Sequence, residues 1–335
     1  MAFQISRNFV GVVCLGLVLC GAAVAASPGA PQTDKPLSPA FLAQMRAMQA
    51  RLNAMPDTPG TGPYPAIKEQ VASLPDHVVY RPADLAKVGP GKLGILVWGN
   101  GGCSGDGASA RLHLLQIASH GYLAIAPGDI ENGPGAPPPP PPAKADGPAG
   151  LWPTTTTARQ VAEGIDWAIA QNSRADSPLK GKIDTTEVAV SGWSCGGLQA
   201  LTIATTDPRV RAVIIHNSGI FFGPTGMKEM DIGKATLDRL RTPVLYILGG
   251  ASDPAYDHAM DDFQRITKVP VMVANLGDVG HVGTFAEPDG GKAALVDVAW
   301  LDWQLKGDAD AARWFTGTAC RLCTDPNWKV EKKGL

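Results

Sequence analysis

The sequence predicts an α/β fold in which a mostly parallel central sheet is covered by helices on both faces. Short runs rich in Val, Ile and Leu alternate along the chain with segments of helical period. The runs are apolar throughout, as is typical of strands that are buried on both faces of a parallel sheet. Alternation of such strands with helices indicates one sheet between two helical layers.

Seven runs are predicted to be strands: His77–Tyr80, Leu93–Trp98, Tyr122–Ala126, Glu187–Ser191, Ala212–His216, Val244–Leu248 and Val271–Ala274. Helical periodicity predicts five helices between or after them, at 109–120, 158–172, 195–206, 258–267 and 293–305. A further helical pattern begins at Pro39 and ends at Pro56, because proline cannot continue a helix. No internal repeat is evident, and one domain over residues 61–335 accommodates the strands and the helices between them.

The N-terminus has the pattern of a secretory signal. Arg7 precedes an almost uninterrupted apolar run, 9–26, which closes on the small residues Ala23-Val24-Ala25. This predicts a signal peptide over 1–26, followed by a leader and N-terminal helix over 27–60. The protein is then secreted or periplasmic, without stable membrane insertion after cleavage. An uncleaved anchor is the alternative, since roughly 18 apolar residues can span a bilayer.

A Pro-rich insert interrupts the α/β pattern at 131–153, with six consecutive prolines from Pro137 to Pro142. Such a run forms a stiff polyproline II segment. The insert follows the strand Tyr122–Ala126 and is expected at the carboxyl end of the sheet, where open α/β sheets bind ligands. It is either a wall of the substrate site or a solvated loop.

The charge balance argues against nucleic acid as a partner. The formal net charge is −2, and no run of clustered Lys and Arg is present. Proteins that bind nucleic acid usually carry a basic patch or stripe. The remaining candidates are neutral or small organic substrates.

Four cysteines remain after removal of the signal: Cys103, Cys195, Cys320 and Cys323. An even number in an exported chain predicts two disulfides. A redox or zinc site at Cys320 and Cys323 is the alternative, but no second Cys or His pair lies near them. A local disulfide in the C-terminal tail is therefore expected.

The segment Gly192-Trp193-Ser194-Cys195-Gly196 matches G-x-S-x-G, the turn that presents a nucleophilic serine between a strand and a helix. The apolar run before it and the helical pattern after it supply that context. A serine hydroxyl needs a neighbouring base and preformed oxyanion donors to act as a nucleophile. The alternative is the serine of an ordinary glycine-rich bend.

The base and the acid follow from chain order, which is Ser, acid, His in this architecture. His281 lies in the loop after the last predicted strand, between Gly280 and Gly283, and is the predicted general base. Asp253 lies in the glycine-lined loop after the strand that ends at Leu248 and is the predicted acid. Asp257 and Asp278 are its rivals.

The oxyanion donors are predicted at the backbone N–H of Cys195 and at Gly102 or Cys103, in the glycine-rich loop after Trp98. Two donors to one oxyanion have Cα atoms a few Å apart, close to the roughly 4.4–6.8 Å that a disulfide spans. A disulfide between Cys103 and Cys195 is therefore predicted. Two buried free thiols are the alternative.

At these motifs the chain resembles the α/β-hydrolase superfamily, and within it secreted serine esterases related to cutinase-like, polyester-hydrolase and chlorophyllase-like enzymes. The resemblance covers about 75–323 and rests on "WGNGG", "GWSCGG", "GGASDPAY" and "VGHVGTF". It implies an α/β-hydrolase fold and a mechanism through Ser194, Asp253 and His281, with no metal or organic cofactor. Trp193 departs from the polar residue that usually precedes the serine in cutinase-like enzymes.

Several aromatic residues are expected on loops near the cleft, where they would form the wall of a substrate site or simply pack. They are Trp152, Trp193, Phe221, Phe222, Tyr256 and Phe285. No large cap domain is evident, which would leave the cleft open to small or polymeric esters. The predicted function is a secreted serine carboxylic ester hydrolase. A peptidase or amidase on the same triad, a non-catalytic binding protein of the same fold and a cell-envelope structural protein are the alternatives.

Overall fold

One nine-stranded sheet with helices on both faces organises the residues that the computed structural model describes, which are 38–138, 154–223 and 232–335. The strands are β1 Ala66–Val71, β2 Leu74–Pro82, β3 Leu93–Gly99, β4 Tyr122–Pro127, β5 Ile183–Trp193, β6 Val210–His216, β7 Val244–Leu248, β8 Val271–Leu276 and β9 Trp328–Lys333. Their order across the sheet is β1-β2-β4-β3-β5-β6-β7-β8-β9. This arrangement confirms the predicted fold class.

The centre of the sheet is parallel and its edges are antiparallel. Strands β3 to β8 pair in parallel, whereas β1 with β2, β2 with β4, and β8 with β9 pair antiparallel. The seven predicted strands lie in β2 to β8. The edge strands β1 and β9 were not predicted, because each carries polar and charged side chains at partly or fully exposed positions instead of an apolar run.

The helices cover the sheet from both sides. They are α1 Pro39–Ala54, α2 Arg111–Ser119, α3 Ala158–Ser173, α4 Cys195–Thr206, α5 Tyr256–Arg265, α6 Gly291–Lys306, α7 Ala309–Ala312 and α8 Arg321–Thr324. Alternate residues of β3 enter opposite layers: Leu96 and Trp98 pack with α1, α2 and α6, and Ile95 and Val97 pack with α3, α4 and α5. The six longer helices agree with the predicted helical segments.

Parts of the predicted organisation lie outside the described residues. These are the predicted signal peptide 1–26, the leader up to residue 37 and residues 139–153 of the Pro-rich insert, with Trp152. No helix in the described ranges is long and apolar enough to cross a membrane. The described residues all belong to one compact unit, so α1 packs on the domain predicted from residue 61 onward.

Arg111 at the start of α2 fastens the end of α1 to the domain. Its side chain is fully buried and donates to Asp57 Oδ1 at 2.9 Å and to Asn132 Oδ1 at 2.8 Å. The same guanidinium donates to the carbonyl oxygens of Leu52 and Met55, both at 2.6 Å. Carbonyl groups at the end of a helix lack part of their intrahelical hydrogen bonding. The arginine supplies a donor to the Met55 carbonyl and a second one to the Leu52 carbonyl, which also accepts the Met55 N–H at 3.1 Å.

We expect Arg111→Leu to lower the free energy of unfolding by about 2–4 kcal/mol, because the Asn132 and Met55 oxygens lose a donor and Asp57 keeps only Lys68 as a cationic partner. Chemical denaturation followed by circular dichroism measures the change. Arg159→Leu is the matched control, since the Arg159 side chain is 90% exposed, and it should alter stability by less than about 0.5 kcal/mol. Equal stability of the two variants would contradict the anchoring role.

Candidate active site

The turn at Ser194 between β5 and α4 holds a strained backbone. Ser194 has φ 55° and ψ −121°, a conformation that costs a residue with a side chain about 1–3 kcal/mol. The glycines around it allow three backbone segments to touch: a Cβ on Gly196 would collide with the Gly99 carbonyl oxygen, and a Cβ on Gly192 would collide with that of Gly196. The serine hydroxyl is thereby presented at the carboxyl end of β5.

A continuous hydrogen-bonded chain joins the three predicted triad residues. His281 Nε2 lies 2.9 Å from Ser194 Oγ, and His281 Nδ1 lies 2.7 Å from Asp253 Oδ1. A carboxylate only accepts, so Nδ1 carries the proton of the neutral imidazole and Nε2 accepts from the serine hydroxyl. Asp253 is 2% exposed and His281 7% exposed, so the chain is nearly shielded from water.

Loops at the carboxyl ends of β7 and β8 bring the acid and the base to the serine. Asp253 also accepts the Ala255 N–H at 2.9 Å, which fixes its carboxylate. The rival carboxylates point elsewhere: Asp257 is exposed on α5, and exposed Asp278 accepts the Ser252 N–H at 3.1 Å. The geometry therefore favours Asp253 as the partner of His281.

Two side chains donate hydrogen bonds to the backbone of His281. The sequence analysis predicted this role for neither of them. Trp193 Nε1 and Asn217 Nδ2 each donate to the His281 carbonyl oxygen at 2.7 Å. Asn217 follows β6 directly and adopts φ 44°. Its position at the carboxyl end of a strand was the available sequence signal.

Two of the aromatic residues for which the sequence allowed either a substrate wall or simple packing are buried. Trp193 is 5% exposed and packs its ring 5.7 Å from that of His281, and Phe285 is 1% exposed among Trp98, Trp193 and two histidines. The Trp193 ring packs beside the base, and the Phe285 ring packs against Trp193 and the buried His113 and His216.

Three of the remaining aromatic residues of the predicted wall are half-buried. Phe221 and Phe222 pack against the ring of His258, at centroid distances of 5.2 and 4.5 Å, and Tyr256 begins α5. Their exposed edges leave them as candidates for substrate contact. Trp152 lies outside the described residues.

The predicted disulfide between Cys103 and Cys195 is present, with Cα atoms 5.3 Å apart. It joins the 3₁₀ turn Gly101–Cys103 after β3 to the first residue of α4. The Cys103 N–H donates to the Asn100 carbonyl at 3.0 Å, so it is already engaged within the turn. Gly102 remains the candidate, together with the backbone N–H of Cys195.

A second disulfide joins Cys320 and Cys323, as predicted, with Cα atoms 4.9 Å apart. It spans the start of the short helix α8, where Cys320 is buried at 1% exposure. The pair lies in the C-terminal tail before β9 and has no part in the hydrogen-bonded chain at Ser194. Its sulfur atoms are occupied by the disulfide and are not free for a zinc ion.

A buried cluster of titratable groups lies directly behind the serine turn. His113 Nε2 and His216 Nε2 lie 3.0 and 2.9 Å from the same oxygen, Asp297 Oδ2. One carboxylate oxygen accepts two hydrogen bonds, so the geometry is that of two imidazoles donating to one anion. These are also the only three groups among the described residues that are close enough together to hold a metal ion. The His216 carbonyl accepts the Ser194 N–H at 3.0 Å, which connects the cluster to the turn.

Burial and charge act in opposite directions on this cluster. Burial lowers the pKa of His113, and Asp297 only partly opposes this. Burial alone would raise the pKa of Asp297, but the nearby charges and hydrogen bonds of His216 and His113 outweigh it and lower the pKa. Because both pKa values are lower in the folded state, both groups stabilise the folded protein more at neutral pH than at acid pH.

Acidification should destabilise the protein partly through His113. Its pKa in the folded protein lies below the unfolded value of about 6.5, so the unfolded chain takes up a proton first as the pH falls. We expect the free energy of unfolding of wild type to fall relative to that of His113→Gln between about pH 7 and about pH 5.5. The comparison isolates His113, because burial also lowers the pKa of His77 and His120 and raises that of Asp262 to about 6. Denaturant titrations at the two pH values test this, and equal changes in the two proteins would contradict it.

The mostly parallel sheet, with its strained serine turn at the carboxyl end of β5, has the α/β-hydrolase fold. A family model described as PETase, PET hydrolase-like, matches residues 150–314, just under half of the chain. The match contains Ser194, Asp253 and His281 and confirms the predicted resemblance to polyester-hydrolase-like members of the superfamily. No curated protein matches the chain.

Proposed function

We propose that the protein is an exported serine hydrolase that cleaves carboxylic esters through Ser194, His281 and Asp253. The observation that carries the proposal is the unbroken hydrogen-bonded chain from the serine hydroxyl through the imidazole to a buried carboxylate. The strained turn at Ser194 supports it, since such strain is retained where a side chain must be presented for reaction.

The geometry supports acyl transfer in two steps. Ser194 Oγ attacks the ester carbonyl while His281 Nε2 takes its proton, and Asp253 stabilises the imidazolium without taking the proton itself. The backbone N–H groups of Cys195 and Gly102 would bind the oxyanion. His281 then protonates the departing alcohol, and a water molecule activated by His281 releases the acid from Ser194. None of these steps calls for a metal ion or organic cofactor.

The family match supports an ester, including a polymeric ester, as substrate. Access for a polymeric ester needs a site without a large cap, and in the described part of the β6–β7 connection the only helical element is the 3₁₀ segment Lys234–Arg239. Half-buried Phe221 and Tyr256 offer apolar surface for acyl or alcohol groups. A peptidase uses the same catalytic groups, so the choice of ester over amide rests on the family match.

Export is proposed on independent grounds. The apolar N-terminal run with its cleavage pattern predicts a signal peptide, and two disulfides are typical of proteins that fold in an oxidising compartment. A secreted or periplasmic location would place the enzyme with extracellular esters.

Replacement of Ser194 tests the proposed function. We expect Ser194→Ala to reduce hydrolysis of p-nitrophenyl butyrate by at least about 10³-fold, because the nucleophile is lost. Ser191→Ala is the matched control: Ser191 is a fully buried serine of β5 whose hydroxyl has no partner among the described residues. It should retain wild-type activity.

Rates of wild type and Ser194→Ala within a factor of two would end the proposal. The same assay on a matched butyryl anilide separates esterase from amidase, and faster cleavage of the anilide would favour the peptidase alternative. Failure of a fluorophosphonate to label Ser194 would favour a non-catalytic protein.

Removal of the Cys103–Cys195 disulfide should slow the catalytic step. We expect the double variant Cys103→Ser, Cys195→Ser to lower kcat by about 10- to 100-fold with a smaller change in KM, because a loosened donor stabilises the transition state less well. The control is Cys320→Ser, Cys323→Ser, which removes the tail disulfide. Equal kcat values for the two double variants would show that the disulfide does not position the oxyanion donors.

A further inference from the structure

Helix α1 is anchored at one end and lies over the catalytic base at the other. Met48 and Leu52 in its C-terminal half are buried at 8% and 0% exposure, and Arg111 binds the carbonyl of Leu52. In the first turns, Phe41 and Met45 are only half-buried. The buried C-terminal end of α1 therefore fixes the position of its less buried first turns.

The first turns of α1 contact the loop that carries the base. The Phe41 ring meets the His281 imidazole edge-on, with centroids 5.2 Å apart and an interplanar angle of 63°. One turn further on, Gln44 lies beside Gly280, where an added Cβ would be 3.1 Å from its Nε2. Ser38 caps the helix by accepting the Phe41 N–H at 3.1 Å, which fixes the backbone of this residue.

Two aromatic rings flank His281, and they differ in exposure. Trp193 is 5% exposed and donates to the His281 carbonyl, so its ring is part of the interior. Phe41 is half-buried and retains surface that a bound molecule can contact. Of these two rings, Phe41 is the one placed to touch a substrate beside the imidazole.

The chemistry of the triad decides which half of the substrate lies there. The acyl group stays on Ser194, whereas the alcohol oxygen must reach His281 Nε2 to receive its proton. A side chain packed on the imidazole therefore borders the alcohol half of the ester. Resting on the proposed function, we propose that Phe41 forms the wall of the alcohol subsite and favours esters of apolar, bulky alcohols.

Two selectivity ratios test this role. With the acyl group held as butyrate, we expect Phe41→Ala to lower the ratio of kcat/KM for benzyl ester over methyl ester by about tenfold, the effect of losing an apolar pocket contact. With the alcohol held as benzyl, the ratio for hexanoate over acetate should stay within twofold. Phe41→Tyr should restore the first ratio, because it restores the ring.

A merely structural role of Phe41 predicts something different. Loss of packing around His281 would slow all esters alike and leave both ratios unchanged, and that result would overturn the proposal. A change in the acyl ratio as large as that in the alcohol ratio would also overturn it. Leu42→Ala, at the next position of α1 and half-buried, is the matched control and should change neither ratio.

The proposed function and the role of Phe41 fail in different ways. If wild type cleaves none of these esters, or Ser194→Ala cleaves them as well as wild type, the proposed function fails. If wild type cleaves them through Ser194 but Phe41→Ala leaves the alcohol ratio unchanged, only the alcohol subsite fails.

Discussion

The contact of three glycine backbones at Gly99, Gly192 and Gly196 is the constraint on which the site depends. β3 and β5 pair through Gly99 and Gly192, and the first turn of α4 lies against both. No side chain fits between them, so the chain must turn within one residue, and that residue is Ser194 with its positive φ. The strain of about 1–3 kcal/mol at this turn is offset by packing of the sheet and α4 around it.

Polar groups behind the turn keep this arrangement in place. The Ser194 N–H donates to the His216 carbonyl, and the His216 side chain is bound by buried Asp297 on α6. The same carboxylate binds His113 on α2. The Asp297 carboxylate thus joins α6 to α2 and to the central strand β6 beneath the nucleophile. Each imidazole compensates part of the free-energy cost of burying the carboxylate charge.

How far sequence predicts this protein depends on whether a feature is local or tertiary. The central strands β3 to β8 are buried on both faces, so their apolar runs predicted them, and the chain order predicted Ser194, Asp253 and His281. The edge strands β1 and β9 were not predicted, because the sequence of an edge strand resembles that of a polar loop. The sequence left open whether Trp193 lines the cleft or packs, since adjacency to a nucleophile does not determine where a ring points. The role of Asn217 was not predicted, because it is a hydrogen bond to a residue 64 positions away in the sequence.

The contribution of α1 also depends on contacts between residues that are distant in sequence. It extends the active site to include a helix outside the α/β core. Triad chemistry needs a base whose ring is held in orientation. Here a helix that precedes the first strand packs Phe41 against that ring. Arg111 fixes the far end of that helix, so the α1–α2 contact helps to hold Phe41 beside His281. A segment whose sequence reads as a leader to the domain thereby supplies part of the surface around the catalytic base.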